Sequence, residues 1–397
     1  MEKFEILNKK NNQNNQISFS VNVKNLLIAL NFANLIVEKR NILKNLHYIR
    51  LLTNQDSLFI DATDLDIYLR QKISLFSISE PGEIILHSQI LLDLVRKLKS
   101  ENISFSKKIN NNYIEITSGN SYFKLFTFEI SKFPQIENIQ EDISTEISIK
   151  TSELSDIISK TLFASSNEVT RYNLNGIFLH KINQKIIAVA TDAHRLALSN
   201  VINENNKNNF GVILSKKASQ DILKIIRDSY YANSQLKILL TVNKIKLTCE
   251  NFIFISKIVE GEYPSYKEFI PQDESNCLKI DKRTFLESVE RVSTLSHHKF
   301  RSIKISILHR EKIVRFTCFN ENAGSAKEDI KFSQNKENFC LFTNNKDISI
   351  NLNPEYLLEA VMSMDGEIIF LFLINENSPI KIQDINNNLS VIMPLKI

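Results

Sequence analysis

The stretch Ala190-Thr191-Asp192 ends a run of alternating apolar and polar residues, and a similar mark recurs at a fixed interval along the chain. Ala62-Thr63-Asp64 stands about 130 residues before it, and Cys318-Phe319-Asn320 stands about 130 residues after it. Alternation of this kind is typical of a β-strand with one buried face. The recurrence predicts a repeated domain with a turn at each of these strand ends.

A second mark, a proline after an aromatic residue or methionine, recurs with the same interval of about 130 residues. It stands at Phe133-Pro134, Tyr263-Pro264 and Met393-Pro394. Because two independent marks share one period, the sequence predicts three similar domains in a row. A repeat of this length can bury a core of its own, which excludes a solenoid of short units.

Each repeat also contains two segments whose apolar residues lie three or four positions apart, the spacing of one helix face. These segments are Leu26–Val37, Leu154–Leu162 and Phe285–Leu295 for the first helices, and Leu91–Leu98, Ala218–Ile226 and Leu357–Met364 for the second. Ser88, Ser215 and Asn353 stand where the second helices need an N-cap. The predicted fold class is α+β, with two helices on antiparallel sheet in each of three domains.

Composition alone does not identify a function. The 397 residues include 49 basic and 45 acidic residues, so the net charge of +4 is too mild to indicate a nucleic-acid binder. The four cysteines form no C-x-x-C pair and are predicted to be buried apolar residues. The polar stretch from Asn8 to Gln16 does not fit a signal peptide, and no apolar run approaches about 18 residues. We therefore expect a cytoplasmic protein without a metal or cofactor.

Six segments, in order, are similar to the beta subunit of bacterial DNA polymerase III, the sliding clamp, over about residues 17–397. They are Arg171–Gly176, Ala190–Ala197, Asn251–Lys257, Tyr263–Tyr266, Lys299–Arg301 and Val391–Leu395. The resemblance implies the DNA clamp fold, in which two chains join head to tail into a six-domain ring with helices around a central hole. The expected divisions are a polar N-terminal extension, 1–16, and clamp domains 17–142, 143–272 and 273–397.

The resemblance also implies a function. Such a homodimer encircles double-stranded DNA without sequence preference and acts as a non-catalytic processivity factor in DNA replication. It tethers the DNA polymerase III catalytic subunit, the clamp loader complex, and other replication and repair proteins that carry clamp-binding peptides. Base contacts would hold the ring at one sequence, so diffuse positive charge facing phosphates suits the task.

Site residues are carried over from the family position by position. The resemblance implies an apolar pocket for partner peptides formed by Leu174, Thr191, His194, Arg195, Leu196, Pro264, Phe269, Asn353, Tyr356, Pro379, Met393, Pro394 and Leu395. It implies DNA contacts at Arg40, Arg171 and Tyr172, and Lys216 and Lys217 are further candidates on a helix. It implies a dimer interface that includes Phe123, Thr294 and Leu295.

Several positions depart from the family pattern. Ala193 stands in place of a usual glycine, Glu268 in place of a cation, and Phe269 in place of a smaller aliphatic residue. Leu174 and Leu196, each taken alone, are more typical of a core position, whereas His194 is equally consistent with a buried, hydrogen-bonded histidine. Arg195 and Asn353 are expected to hold the backbone or a carboxylate of the peptide.

Two other classes of protein are considered. An enzyme could use Asp64 with Asp66, or Asp192 with His194, as a metal or acid–base site. However, Asp64 and Asp192 occupy the same place in successive repeats, and the third repeat has Asn320 there, which indicates a turn at a strand end. A protein-binding scaffold that never meets DNA is also compatible with the repeats alone.

Overall fold

A computed structural model describes residues 16–38, 43–134, 145–168, 170–204, 209–229, 231, 233–296, 302–332, 339–341 and 347–396. The chain divides into two compact units, Met1–Ser152 with Lys224–Ile258 and Glu153–Leu223 with Val259–Ile397. Across the described ranges, no helix is long and apolar enough to cross a membrane.

Strands dominate the fold. In chain order the strands are β1 (Ile17–Asn22), β2 (Tyr48–Asn54), β3 (Ser57–Thr63), β4 (Ile67–Ser74), β5 (Ser77–Glu80), β6 (Glu83–His87), β7 (Asn102–Lys107), β8 (Tyr113–Ser118), β9 (Ser121–Phe126), β10 (Thr145–Lys150), β11 (Gly176–Ile182), β12 (Lys185–Thr191), β13 (Arg195–Ile202), β14 (Phe210–Ser215), β15 (Gln235–Leu240), β16 (Lys244–Thr248), β17 (Phe252–Val259), β18 (Cys277–Asp281), β19 (Ile303–Leu308), β20 (Ile313–Asn320), β21 (Gly324–Lys331), β22 (Phe339–Leu341), β23 (Ile348–Leu352), β24 (Ile368–Phe372), β25 (Ile380–Gln383) and β26 (Leu389–Ile392). The α-helices are α1 (Val23–Ile36), α2 (Ser88–Arg96), α3 (Thr151–Ser159), α4 (Lys216–Ile226), α5 (Lys282–Ser293) and α6 (Pro354–Met362).

The first unit contains two antiparallel sheets. One has the strand order β5-β1-β7-β8-β9. The other runs β10-β15-β16-β17-β4-β3-β2-β6. The pairing of β17 with β4 joins strands of the first and second repeats into one continuous sheet.

The second unit has the same plan. One antiparallel sheet runs β14-β11-β12-β13-β26-β25-β24-β18-β22. The other runs β21-β20-β19-β23. Here the pairing of β13 with β26 joins the second and third repeats, at the same place in the repeat as the pairing of β17 with β4.

The predicted three-domain α+β fold is confirmed. The recurrent marks stand at strand ends as expected, because β3 ends at Thr63, β12 ends at Thr191 and β20 ends at Asn320. The predicted helix stripes face the core, and Leu26, Leu30 and Ala33 on α1 are completely buried. Cys249 and Cys318 are buried, as predicted, whereas Cys277 is only half-buried. The side chain of Cys340 lies outside the described residues.

Helix starts follow local capping chemistry. Ser215 Oγ accepts from the backbone N of Ala218 at 3.1 Å, and Asn353 Oδ1 accepts from Glu355 N at 2.9 Å, so both predicted N-caps are confirmed. The prediction for Ser88 is wrong by one residue, because α2 begins at Ser88 and His87 occupies the cap position. Ser88 Oγ instead donates to Asn34 Oδ1 at 3.1 Å, which ties α2 to α1.

Candidate functional site

The turn between β12 and β13 gives the predicted pocket its rigid edge. Thr191 Oγ1 donates to the carbonyl of Arg195 at 2.6 Å and accepts from Ala193 N at 3.1 Å. Asp192 Oδ1 accepts from the backbone N of His194 and of Arg195, each at 3.0 Å. The two side chains thus satisfy the turn backbone, which leaves the exposed His194 side chain projecting from a fixed frame. The alternative of a buried histidine is wrong.

Ala193 occupies this turn with a φ of 74°, in the left-handed region that glycine adopts more easily. We predict that Ala193→Gly raises the melting temperature of the chain by about 2 °C, because relief of this strain is worth about 1 kcal/mol. Differential scanning calorimetry measures the shift. The matched variant Leu65→Gly, at a φ of 79° in the first repeat, should give a rise of the same sign. A fall for Ala193→Gly would contradict the strain argument.

The side chain of Arg195 is largely covered by its neighbours, with 11% of it exposed. Its guanidinium lies 4.3 Å from the ring centroid of Tyr356 and 5.4 Å from that of Phe163. It donates to Asp192 Oδ2 at 3.1 Å, to the carbonyl of Phe163 at 2.8 Å, and to Glu359 Oε2. Through these three bonds and the ring contacts, Arg195 joins β13 to α6 and packs against Tyr356. Arg195 is therefore part of the wall of the site, and its expected role in holding a peptide stays a prediction, since these bonds use three of its five N–H groups.

The C-terminal segment forms the opposite edge. Met393 N donates to the carbonyl of His194 at 2.9 Å, and Leu395 N donates to the carbonyl of Asn351 at 2.8 Å. These backbone bonds fix the segment while the side chains of Met393 and Leu395 remain 39% and 36% exposed. Pro394 between them is half-buried. Exposed apolar side chains on an immobilised backbone are a suitable surface for the apolar anchors of a peptide.

The floor of the site is apolar. Leu196 is buried in a cluster with Val189, Tyr266 and Val391, so it is a core residue beneath the site. Leu174 is also buried, at 8% exposure. Pro264 and Phe269 lie on the segment that carries Tyr266, and both are exposed. Phe269, 54% exposed, adds an aromatic surface to this edge.

Two other predicted pocket residues, Asn353 and Pro379, lie at the start of α6 and directly before β25. Asn353 uses its side chain to cap α6, which places Tyr356 one turn later on the same helix. Pro379 is half-buried directly before β25, whose Ile380 pairs with Ile392 of β26. The structure thus brings the second and third repeats together around β13 and β26. Sequence reasoning missed Phe163 and Glu359; the only signal was that Glu359 lies three residues after Tyr356, on the same helix face.

A cleft of about 530 Å³ adjoins this site through Pro264, and no pattern in the sequence indicated it. Phe178, His180 and Tyr263 line it, and their rings form a stack with centroids 4.5 and 4.9 Å apart. His180 Nε2 lies 3.0 Å from the hydroxyl of Tyr266. Burial lowers the pKa of His180 to about 4, so this imidazole is neutral at pH 7.

The predicted DNA-contact residues differ in their availability. Arg40 lies outside the described residues. Arg171 is half-exposed and pairs with Glu168 at 3.1 Å, and Tyr172 is 61% exposed on the same short helix. Lys216 Nζ donates to the carbonyl of Ser165 at 3.1 Å and to Asn167 Oδ1 at 2.7 Å, which turns its ammonium toward the protein. The side chain of Lys217 is exposed.

The predicted interface residues belong to the first and the third repeats. Phe123 is half-buried on β9, the edge strand of the five-stranded sheet. Leu295 packs against the core of the third repeat, and Thr294 is exposed with its hydroxyl donating to the carbonyl of Glu290. Glu328, on the edge strand β21, forms an ion pair with Arg291 at 2.6 Å.

The aspartates that could have indicated an enzyme are turn residues. Asp64 Oδ1 accepts from the backbone N of Asp66 at 3.0 Å and of Ile67 at 2.6 Å, just as Asp192 does in the second repeat. Asn320 accepts from Asn322 N at 3.0 Å in the third repeat. The recurrent polar residue at this position therefore supports a turn at the end of a strand.

Comparison with known families covers nearly the whole chain. The family model of the DNA polymerase III beta subunit, N-terminal domain, matches residues 17–137. The models of the central and C-terminal domains of the same subunit match residues 148–265 and 267–396.

Individual relatives belong to the same family as these three models. A beta sliding clamp from Rickettsia bellii is 37% identical over 380 residues, which is 95% of this chain and 99% of the relative. A solved sliding clamp from Pseudomonas aeruginosa bound to griselimycin is 25% identical, with a TM-score of 0.88 over 96% of this chain and 100% of that chain. A sliding clamp from Bartonella birtlesii, also bound to griselimycin, is 27% identical with a TM-score of 0.85 over the same shares.

Proposed function

The chain belongs to the DNA polymerase III beta subunit family, the beta sliding clamps, and from this premise we propose that two copies close head to tail into a ring around duplex DNA. As a member of this family it is a processivity clamp in DNA replication and has no catalytic site of its own. The homodimer, its DNA contacts, its partners and the residues assigned to them are the proposal.

Two free sheet edges support the head-to-tail ring. Within the described residues, β9 pairs only with β8, and β21 pairs only with β20. An unpaired edge offers backbone donors and acceptors to another strand, and β9 also exposes Tyr122 and Phe126. Because β9 and β21 belong to the first and third repeats, their pairing between copies is heterologous, and two such contacts close a ring. Phe123, Thr294 and Leu295 are the proposed interface residues.

The distribution of exposed basic side chains supports the proposal that the protein holds DNA without contacting the bases. Lys97 and Lys99, at the end of α2, are exposed, and the described residues place no carboxylate against either. In contrast, Arg283 and Arg291 of α5 are both paired with Glu287. We propose that Arg40, Arg171, Tyr172 and Lys217 contact DNA. Lys216 adds positive electrostatic potential from a partly enclosed position. The third repeat contributes less positive charge than the first.

The surface around the C-terminal segment supports binding of partner peptides. The carrying observation is the pair of exposed apolar side chains, Met393 and Leu395, on a backbone fixed by His194 and Asn351. We propose that the DNA polymerase III catalytic subunit, the clamp loader complex and other replication and repair proteins dock here through short apolar peptides. Griselimycin, which two solved relatives bind, is a useful competitor for testing this.

The boundaries of the domains and the cellular location are also proposals. The clamp domains span 17–142, 143–272 and 273–397, and residues 1–16 form an extension before them. This division agrees in order with the three family models and differs by a few residues at the junctions. A protein that holds replicating bacterial DNA works in the cytoplasm, which is the location we propose.

The ring is tested by the topology of the DNA. The protein is placed on nicked circular DNA, with a clamp loader or at high protein concentration, and half the sample is then linearised. At high salt we expect retention on circles and loss from linear DNA, because salt screens phosphate contacts but does not open a closed ring. Gel filtration of labelled protein with the DNA measures the retained fraction.

The alternatives give different results in the same assay. Equal loss from circular and linear DNA would mean ordinary electrostatic binding or no closed ring, and the DNA-free scaffold would become the better explanation. Blocking the ends of the linear DNA with bound protein is the matched control, and it should restore retention. Retention on open linear DNA would contradict sliding.

A further inference from the structure

The turn from Thr191 to Arg195, which forms one edge of the pocket, has a second copy within the chain. In the turn between β3 and β4, Thr63 Oγ1 donates to the carbonyl of Ile67 at 2.8 Å and accepts from Leu65 N at 3.0 Å. Asp64 Oδ1 accepts from the two following backbone amides, as Asp192 does between β12 and β13. Leu65 has a φ of 79°, and Ala193 has a φ of 74°. The two turns therefore share every side-chain-to-backbone bond described for the pocket edge.

The strand that completes the edge is also duplicated. Lys257 N donates to the carbonyl of Asp66 at 2.9 Å, and Met393 N donates to the carbonyl of His194 at the same distance. The preceding residues pair in the same register, with Ser256 opposite Ile67 and Ile392 opposite Arg195. Asp66, Ile67 and Lys257 thus occupy the positions of His194, Arg195 and Met393.

The side chains at these positions differ in kind. Asp66 and Lys257 form an ion pair at 2.8 Å, with their side chains 73% and 56% exposed. At the pocket the corresponding side chains are an exposed imidazole and an exposed thioether, and no ion pair joins them. An ion pair this exposed contributes little to stability, so stability is a poor explanation for its presence.

We propose that the edge formed by β3, β4 and β17 is a closed copy of the peptide site, and that the Asp66–Lys257 pair excludes apolar anchors from it. A leucine or phenylalanine placed on this edge would remove water from both charges without giving them new partners, which opposes binding. At the pocket, Met393 offers an apolar contact instead. Asp66 and Lys257 are then specificity-determining residues that limit each chain to one bound peptide. This inference rests on the proposed peptide pocket.

The test counts bound peptides. Isothermal titration calorimetry uses a synthetic hexapeptide with two leucines and a phenylalanine, titrated into the full chain. The wild type should bind one peptide per chain. The variant Asp66→His with Lys257→Met should bind a second peptide, at least ten-fold more weakly than the first. Adding Met393→Ala with Leu395→Ala to this variant should remove the tighter site and leave the weaker one.

The control variant Asp66→Lys with Lys257→Asp reverses the ion pair and keeps it, so it should bind one peptide. Two peptides bound by the wild type, or one bound by the His/Met variant, would overturn the inference while the pocket stands. A second site in the charge-reversed control would also overturn it. No binding by the wild type would refute the proposed pocket itself, and the inference with it.

Discussion

Met393→Ala combined with Leu395→Ala is expected to weaken binding of an apolar partner peptide by at least about 100-fold, while the proposed ring stays assembled. Each truncation removes an exposed apolar contact worth about 1.5 kcal/mol when a peptide covers it, and about 3 kcal/mol corresponds to this loss in affinity. The backbone bonds from Met393 N and Leu395 N do not depend on the side chains, so the segment should keep its place. Fluorescence polarisation with a labelled leucine–phenylalanine hexapeptide measures the affinity.

A matched control removes the same kinds of atoms elsewhere in the same unit. Met362 is 55% exposed and Ile385 is 62% exposed, so Met362→Ala with Ile385→Ala truncates two comparable apolar side chains. This control should bind the peptide like the wild type, and sedimentation velocity should show the same assembly for both variants. An affinity unchanged by the Met393 and Leu395 substitutions would refute the assignment of the pocket.

Much of this site could be predicted from the sequence because local rules fix it. The turn at Thr191 and Asp192 depends on side chains that bond their own neighbouring backbone, and the same residues in the first repeat give the same turn. Asn353 caps its helix for an equally local reason. The three-domain organisation followed from two periodic marks and the helix stripes.

The role of Arg195 could not be predicted, because it depends on partners far away in the chain. Glu359 lies 164 residues from Arg195, and Phe163 lies 32 residues from it. No local pattern shows that α6 packs where these groups meet. Lys216 is a similar case: its position on a helix indicated a DNA-facing cation, whereas Ser165 and Asn167 hold its ammonium. Side-chain direction is set by packing, which one sequence does not show.

The buried charge in the first repeat was also not foreseen, and it has a large expected effect. Asp61, on β3, is completely buried, and Arg70 binds it at 2.8 and 2.9 Å. Arg50 donates to it at 2.8 Å, and so does the hydroxyl of Tyr68. Along β3, Asp61 lies on the face opposite Leu58 and Ile60, and the alternation by itself does not show whether that face is covered. Arg50 and Arg70, directly opposite Asp61 on the neighbouring strands, instead enclose it.

Asp61→Asn should therefore lower the free energy of unfolding at pH 7 by about 3–5 kcal/mol, because it leaves the buried guanidinium of Arg70 without its counter-charge. The half-buried Arg50 keeps only Glu83, 3.7 Å away. Urea unfolding followed by circular dichroism measures the change. Asp56→Asn makes the same chemical change at an exposed aspartate in the turn before β3, and it should shift stability by less than about 0.5 kcal/mol. A similar small shift for Asp61→Asn would show that the cluster contributes no net stability.

The pH dependence of the stability difference between wild type and Asp61→Asn separates the contribution of charge from that of packing. Burial by itself would raise the pKa of Asp61, but Arg50 and Arg70 outweigh it and lower the pKa to about 2. The folded chain thus binds the Asp61 proton more weakly than the unfolded chain, whose aspartate pKa is about 3.9. The stability from ionised Asp61 is complete above pH 4 and is lost as pH falls from about 4 toward 2. The difference between wild type and Asp61→Asn should stay constant from pH 7 to about 4.5 and shrink below about 4. A difference independent of pH across this window would assign the effect to shape, because asparagine does not titrate.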